Sequence, residues 1–219
     1  MKKLLTSFIT LAVSCVTVAV AQAQEIKGDA KAAEQKIAMC IGCHGIKGYQ
    51  ASFPEVYRVP MISGQNAKYI VAALNAYKKG ERKHPTMRGI AETLSEQDMA
   101  DMAAYYELHG KTDAAVPAPA APDAKVAALL QKGACISCHG DNFSKPVDPS
   151  YPKIAGQHKD YLYVALKSYK TENQATWGRS NGVMGGIAKQ FSNAELKAMA
   201  NYLGNQSGEL KTIPQPKLR

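Results

Sequence analysis

Large side chains are scarce in this sequence. Only 7% of its 219 residues are aromatic, with four Phe and a single Trp. Small lobes with so few bulky residues struggle to fill a core unaided, so something other than protein is expected to fill it. Long basic runs are also missing. The 27 Lys and Arg against 18 Asp and Glu give a net charge of +9, but the cations are scattered. With no nucleic-acid motif beside them, they read as a solvated basic surface rather than a nucleic-acid site. No stretch alternates apolar and polar residues as a half-buried strand does. No flavin-binding fingerprint is present. What is there, 46% hydrophobic and 21% charged residues, is ordinary globular composition and excludes a long disordered chain.

The first residues read as an export signal. Lys2 and Lys3 precede a mostly apolar stretch, residues 4–20, and Ala21-Gln22-Ala23 supplies an A-x-A cleavage signal. Cleavage after Ala23 is expected, which places the mature chain in a bacterial periplasm with no integral membrane segment. A retained span is the alternative reading. Ala-Val-Ser-Cys15 faintly resembles a lipoprotein site, but the apolar run continues past Cys15 to Val20, as an ordinary signal core does. Loss of residues 1–23 lowers the net charge to +7 and leaves four of the five cysteines. Four cysteines in an oxidising compartment suggest two disulfides. Their spacing argues otherwise.

The remainder is a duplication. Cys40-Ile41-Gly42-Cys43-His44 and Cys135-Ile136-Ser137-Cys138-His139 lie 95 residues apart. Pro60-x-Ile62-x-Gly64-Gln65 is matched by Pro152-x-Ile154-x-Gly156-Gln157, and Tyr69, Leu74 and Tyr77 by Tyr161, Leu166 and Tyr169. Ser95-x-x-Asp98 and Ser192-x-x-Glu195 both resemble capping boxes, and Tyr105 matches Tyr202. Residues 112–122, rich in Ala and Pro, cannot continue a helix and read as a linker. The expected division is a first domain at 24–111 and a second at 123–219. Helices are predicted over 30–39, 66–78 and 95–108, and over 125–131, 159–170 and 192–203. The fold class is all-α.

Cys-x-x-Cys-His is the attachment motif of c-type haem. Two thiols one helical turn apart can add to the two vinyl groups on one edge of the porphyrin, and the adjacent His then offers its imidazole to the iron. Chance alone yields about 0.003 such motifs in a chain of this composition. The alternatives are a thioredoxin-like pair, a zinc site and plain disulfides. Zinc usually takes four ligands, and each cluster offers three. Cys40, Cys43, Cys135 and Cys138 are thus candidates for covalent attachment of two haem groups, and His44 and His139 for axial ligands. A flat apolar cofactor also answers the shortage of large side chains.

An iron held by His and Met changes charge with little rearrangement, whereas an open sixth position binds small molecules. In the second lobe Met184 lies in a glycine-rich segment, 180–186, read as a loop, while Met199 sits inside a predicted core helix. In the first lobe Met61, Met87, Met99 and Met102 compete. Met87 is chosen because it lies 97 residues before Met184, the offset of the capping boxes. His84 is a rival ligand without a His counterpart.

With these residues in view, the chain resembles the cytochrome c4 family, soluble dihaem proteins of two class I cytochrome c lobes. The resemblance implies His44 and His139 as proximal and Met87 and Met184 as distal iron ligands. It also implies that the carbonyls of Pro60 and Pro152 accept the other ring N–H of those histidines. Terminal-helix Tyr105 and Tyr202 are expected to pack on small residues such as Ala33 and Ala128. Arg88, directly after Met87, departs from the familiar pattern, and pairing with a haem propionate or favouring reduction are both open. The implied function is a periplasmic one-electron carrier, a monomer that serves redox partner proteins such as membrane respiratory complexes and delivers to a terminal oxidase or reductase, with no catalytic residue. The alternatives are a dihaem peroxidase or the haem subunit of a sulfide-oxidising flavocytochrome. Charge divides unevenly, with net +1 over residues 24–118 and +6 over 119–219, so the two lobes are expected to face different partners.

Overall fold

Two serines set the frame of the molecule. In the computed structural model, which describes residues 26–112, 115–171 and 174–214, Ser95 and Ser192 each open a terminal helix with a full capping box. The Ser hydroxyl accepts from the backbone N–H three residues on, and the Asp98 or Glu195 carboxylate accepts the serine N–H in return. The helices so started are α5 (Glu96–Leu108) and α10 (Asn193–Gly204). Their inner faces follow one spacing, Met99, Met102, Ala103 and Tyr106 in the first, Leu196, Met199, Ala200 and Leu203 in the second, all buried. The predicted export segment and Cys15 lie outside the described residues, as do positions 113 and 114 of the linker.

The first lobe runs α1 (Ala30–Ala33), α2 (Ala38–His44), strands β1 (Gln50–Ala51) and β2 (Tyr57–Arg58), α3 (Ala67–Lys78), β3 (Arg82–Lys83), α4 (Pro85–Glu92) and α5. The second runs α6 (Ala124–Lys132), α7 (Ile136–His139), α8 (Lys159–Ser168), β4 (Gly178–Arg179), α9 (Gly182–Ala188) and α10. Each lobe has its own core. One gathers Ala33, Ile37, Ile41, Ile70 and Leu94 around α5, the other Val126, Leu129, Leu130, Phe143 and Leu162 around α10. Among the described residues no helix is long and apolar enough to cross a membrane.

Three expectations need correction. The predicted helix over 30–39 is two helices. Asp29 caps the first, and a tight turn with Lys36 N–H on the Ala33 carbonyl precedes the second. The segment around Met184, read as a loop, is a helix, as is the one around Met87, because packing overrides the low helix propensity of their glycines. Ala128 is exposed, because α6 buries Val126, Leu129 and Leu130 instead. The all-α class holds, with short strands of two residues each, below the length at which alternation can be read.

The lobes meet through the repeated Pro-x-Ile-x-Gly-Gln elements. The Gln65 amide donates to the Lys153 carbonyl at 3.0 Å and accepts its N–H at 2.9 Å. Gln157 does the same to Met61, at 2.9 and 3.0 Å. Met61 and Lys153 are counterparts in the repeat, so the arrangement is an approximate two-fold exchange. Both glutamine side chains are buried, and each treats a backbone segment of the other lobe as a strand partner. Gly64 and Gly156 precede them with φ of +84° and +71°, where a Cβ would meet the Glu209 oxygen at 2.7 Å or the Gln206 oxygen at 3.0 Å. On the same interface β3 pairs antiparallel with β4, Arg82 opposite Arg179. Arg58 with Asp160 and Lys167 with Glu55 bridge its rim. The linker is fastened to the second lobe at Ala120, whose N–H donates to Gln206 and whose carbonyl accepts the Tyr202 hydroxyl.

Candidate functional site

The two cysteine motifs sit at equivalent places. α2 carries Cys40, Cys43 and His44, while Cys135 caps α7, which carries Cys138 and His139. All four thiols are free and half-buried, so the i, i+3 pairs are not disulfides. Cys40 packs against the first core and Cys135 against the second. The His44 Nδ1–H donates to the Pro60 carbonyl at 2.8 Å and that of His139 to the Pro152 carbonyl at 3.0 Å. A carbonyl can only accept, so each ring carries its hydrogen on Nδ1 and keeps the Nε2 lone pair for a metal. Burial lowers both imidazole pKa values, opposed by the proline carbonyls, and holds the rings neutral, the form that ligates.

Met87 and Met184 occupy the same position of α4 and α9. The His84 ring nitrogen caps one helix by accepting the Met87 N–H, and the Asn181 side chain caps the other by accepting the Met184 N–H at 2.9 Å. His84 is thus the counterpart of Asn181, with a capping role in place. Both methionines are half-buried and belong to neither core, whereas Met99, Met102 and Met199 are core residues. The Met61 backbone is held by Gln157. Arg88 pairs with Glu92 one turn along its helix, at 2.6 Å. Among the described residues no three of His, Cys, Asp and Glu converge into a metal-holding group.

A cluster that the sequence reading passed over lies between the lobes. Arg82 donates to the Tyr69 hydroxyl at 3.2 Å and to the Tyr161 hydroxyl at 2.8 Å, and stacks over Tyr77 at 4.6 Å. Arg179 donates to Tyr161 at 3.2 Å and to Tyr169 at 3.4 Å. No carboxylate of the described residues pairs with either guanidinium, and the buried Arg82 Nε has no partner among them. Burial pushes the Tyr161 hydroxyl up, but the two cations outweigh it and bring its pKa down to about 8. Two half-buried cations that face only phenols among the described residues form an incomplete charge set. The repeat signalled this cluster, since four of its members recur at the matching offset.

Comparison with known proteins gives a consistent picture. The family model described as Cytochrome c matches residues 30–107 and again 124–207. Cytochrome c4 of Stutzerimonas stutzeri is 31% identical over 190 residues, covering 80% of this chain and 88% of that protein. A thiosulfate dehydrogenase electron acceptor of Stutzerimonas stutzeri is 31% identical over 187 residues, with 82% of each chain covered. The crystal structure of reduced recombinant cytochrome c4 from Pseudomonas stutzeri superposes with a TM-score of 0.60 at 26% identity, covering 82% of this chain and 99% of that one.

Proposed function

Because this chain belongs to the cytochrome c4 family and is a dihaem electron-transfer cytochrome with two covalently bound haem c groups, we propose that it is a periplasmic one-electron carrier between respiratory complexes, delivering to a terminal oxidase or reductase. The observation that carries this reading is the doubled donor set, a free Cys pair, a neutral His oriented through Nδ1 and a half-buried Met on a capped helix, one set per lobe.

The residues fit the cofactor. Cys40 and Cys43 would hold one haem and Cys135 and Cys138 the other, through thioether bonds. His44 and His139 would ligate iron through Nε2, left free by the Nδ1 bonds to the proline carbonyls, and Met87 and Met184 would ligate it through sulfur. Arg82 and Arg179, which no carboxylate of the described residues pairs, suit the negative charge that haem propionates bring. Haem bound in this way supplies a one-electron iron couple whose potential methionine raises. The protein orients both imidazoles through the Pro60 and Pro152 carbonyls. Export by residues 1–23, with domains at 24–111 and 123–219, belongs to the same proposal.

The match to a thiosulfate dehydrogenase electron acceptor favours a second reading of the input side, in which the donor is a dehydrogenase of a reduced sulfur compound. The experiment is a redox titration of the mature protein followed by its visible spectrum, with carbon monoxide added to the ferrous form. Two low-spin haems, two one-electron steps and no carbon monoxide adduct at neutral pH are expected. Ready carbon monoxide binding would sink the carrier reading in favour of a peroxidase-like site.

A further inference from the structure

The two lobes match closely, so a departure near one cysteine motif and not the other is informative. Tyr106 on α5 is such a departure. Gly64 N–H donates to the Tyr106 carbonyl at 2.7 Å, and Gly156 N–H donates to the Leu203 carbonyl at 3.0 Å. The backbone thus identifies Leu203 as the counterpart of Tyr106. Both side chains are buried, Tyr106 at 3% exposure. Cys40 packs against the core that holds Tyr106, and Cys135 against the core that holds Leu203. The first lobe therefore buries a phenol beside its first cysteine, where the second buries an alkyl group.

The Tyr106 hydroxyl is buried and makes no hydrogen bond among the described residues, and it lies in the core against which Cys40 packs. A buried hydroxyl without a partner is costly. A free thiol has its own hydrogen to place, but a thioether sulfur can only accept.

We propose that Tyr106 tunes the potential of the first haem, its hydroxyl donating to the Cys40 sulfur once that sulfur is a thioether, an interaction the second lobe lacks because Leu203 stands there. The inference rests on the reading that both motifs carry haem. A donor at this sulfur draws electron density from the macrocycle edge and favours the reduced iron; hydrogen bonding around the cofactor is one of the means by which a protein sets such potentials. Tyr106 is a positioning residue in this role and touches no reacting ligand.

The test uses the mature holoprotein and its Tyr106→Phe variant, which keeps the ring. Haem is counted first, and both midpoint potentials are then titrated. The expected result is two haems per chain, one potential lowered by up to about tenfold in electron affinity, or 59 mV for one electron, and the other unmoved. Tyr202→Phe, which removes a hydroxyl bonded to the Ala120 carbonyl, should move neither. Fewer than two haems in the unsubstituted protein overturns the haem reading itself. Two haems with both potentials unmoved in Tyr106→Phe overturns only the role of Tyr106. If that variant fails to hold haem, the unsubstituted protein decides. Resonance Raman spectra in H2O and D2O should show a thioether C–S band of one haem shifting, and identical behaviour of both haems refutes the proposal.

Discussion

Methionine serves two purposes in this protein, and burial separates them. Met99 and Met102 are enclosed between helices of the first core, while Met87 stands on α4 outside it. Met99→Ala should therefore cost about 2–5 kcal/mol of stability, as large-to-small core changes do, and leave the visible spectrum intact. Met87→Ala should fold nearly as well, lose half of the methionine–iron absorption and admit carbon monoxide at one iron. A thermal melt and a spectrum of each variant check both; exchanged phenotypes would assign the ligand to the wrong methionine. At this scale the sequence was most legible. Cys-x-x-Cys-His is chemistry written in consecutive residues, so the thiols and imidazoles could be picked out directly. The contact of Arg82 with Tyr161 and the grip of the two glutamines were harder, because these partners lie 79 to 96 residues away and no local pattern names them.

Helix starts were also written locally. Ser-x-x-Asp and Ser-x-x-Glu marked α5 and α10 to within a residue. The helices bearing Met87 and Met184 were hidden because their glycines lower propensity and only packing restores it. The caps carry a pH dependence. Lys36 chiefly, with the Ser95 hydroxyl and N–H, holds the Asp98 carboxyl below its ordinary value, and the Ser192 N–H and hydroxyl do the same for Glu195. A depressed carboxyl stabilises the fold fully above its unfolded pKa, about 4, and loses that contribution as pH falls through its lower folded value. Stability measured from pH 5 to pH 2 should fall more steeply in the natural protein than in Asp98→Asn. Equal slopes would show that the box bears no load. Ser95→Ala and Ser192→Ala should each cost about 1 kcal/mol at neutral pH, read by denaturant titration.

For the whole molecule, uneven charge is the property with the clearest consequence. The first half is near neutral and the second strongly basic before haem is counted. Electron exchange through the second lobe with an acidic partner should slow steeply with added salt, and exchange through the first should not. Stopped-flow rates at several ionic strengths, with Lys197→Glu as a charge reversal on the exposed side of α10, make the comparison. Rates indifferent to salt would remove electrostatic steering from the account. The mutual grip of Gln65 and Gln157 on backbone, not on side chains, has a consequence of another kind. Each half presents a face that is nearly self-complementary, the hallmark of pairing between identical subunits. A half released from its twin would retain an adhesive surface suited to its own duplicates, and tandem linkage is what gives that surface a fixed, unequal mate.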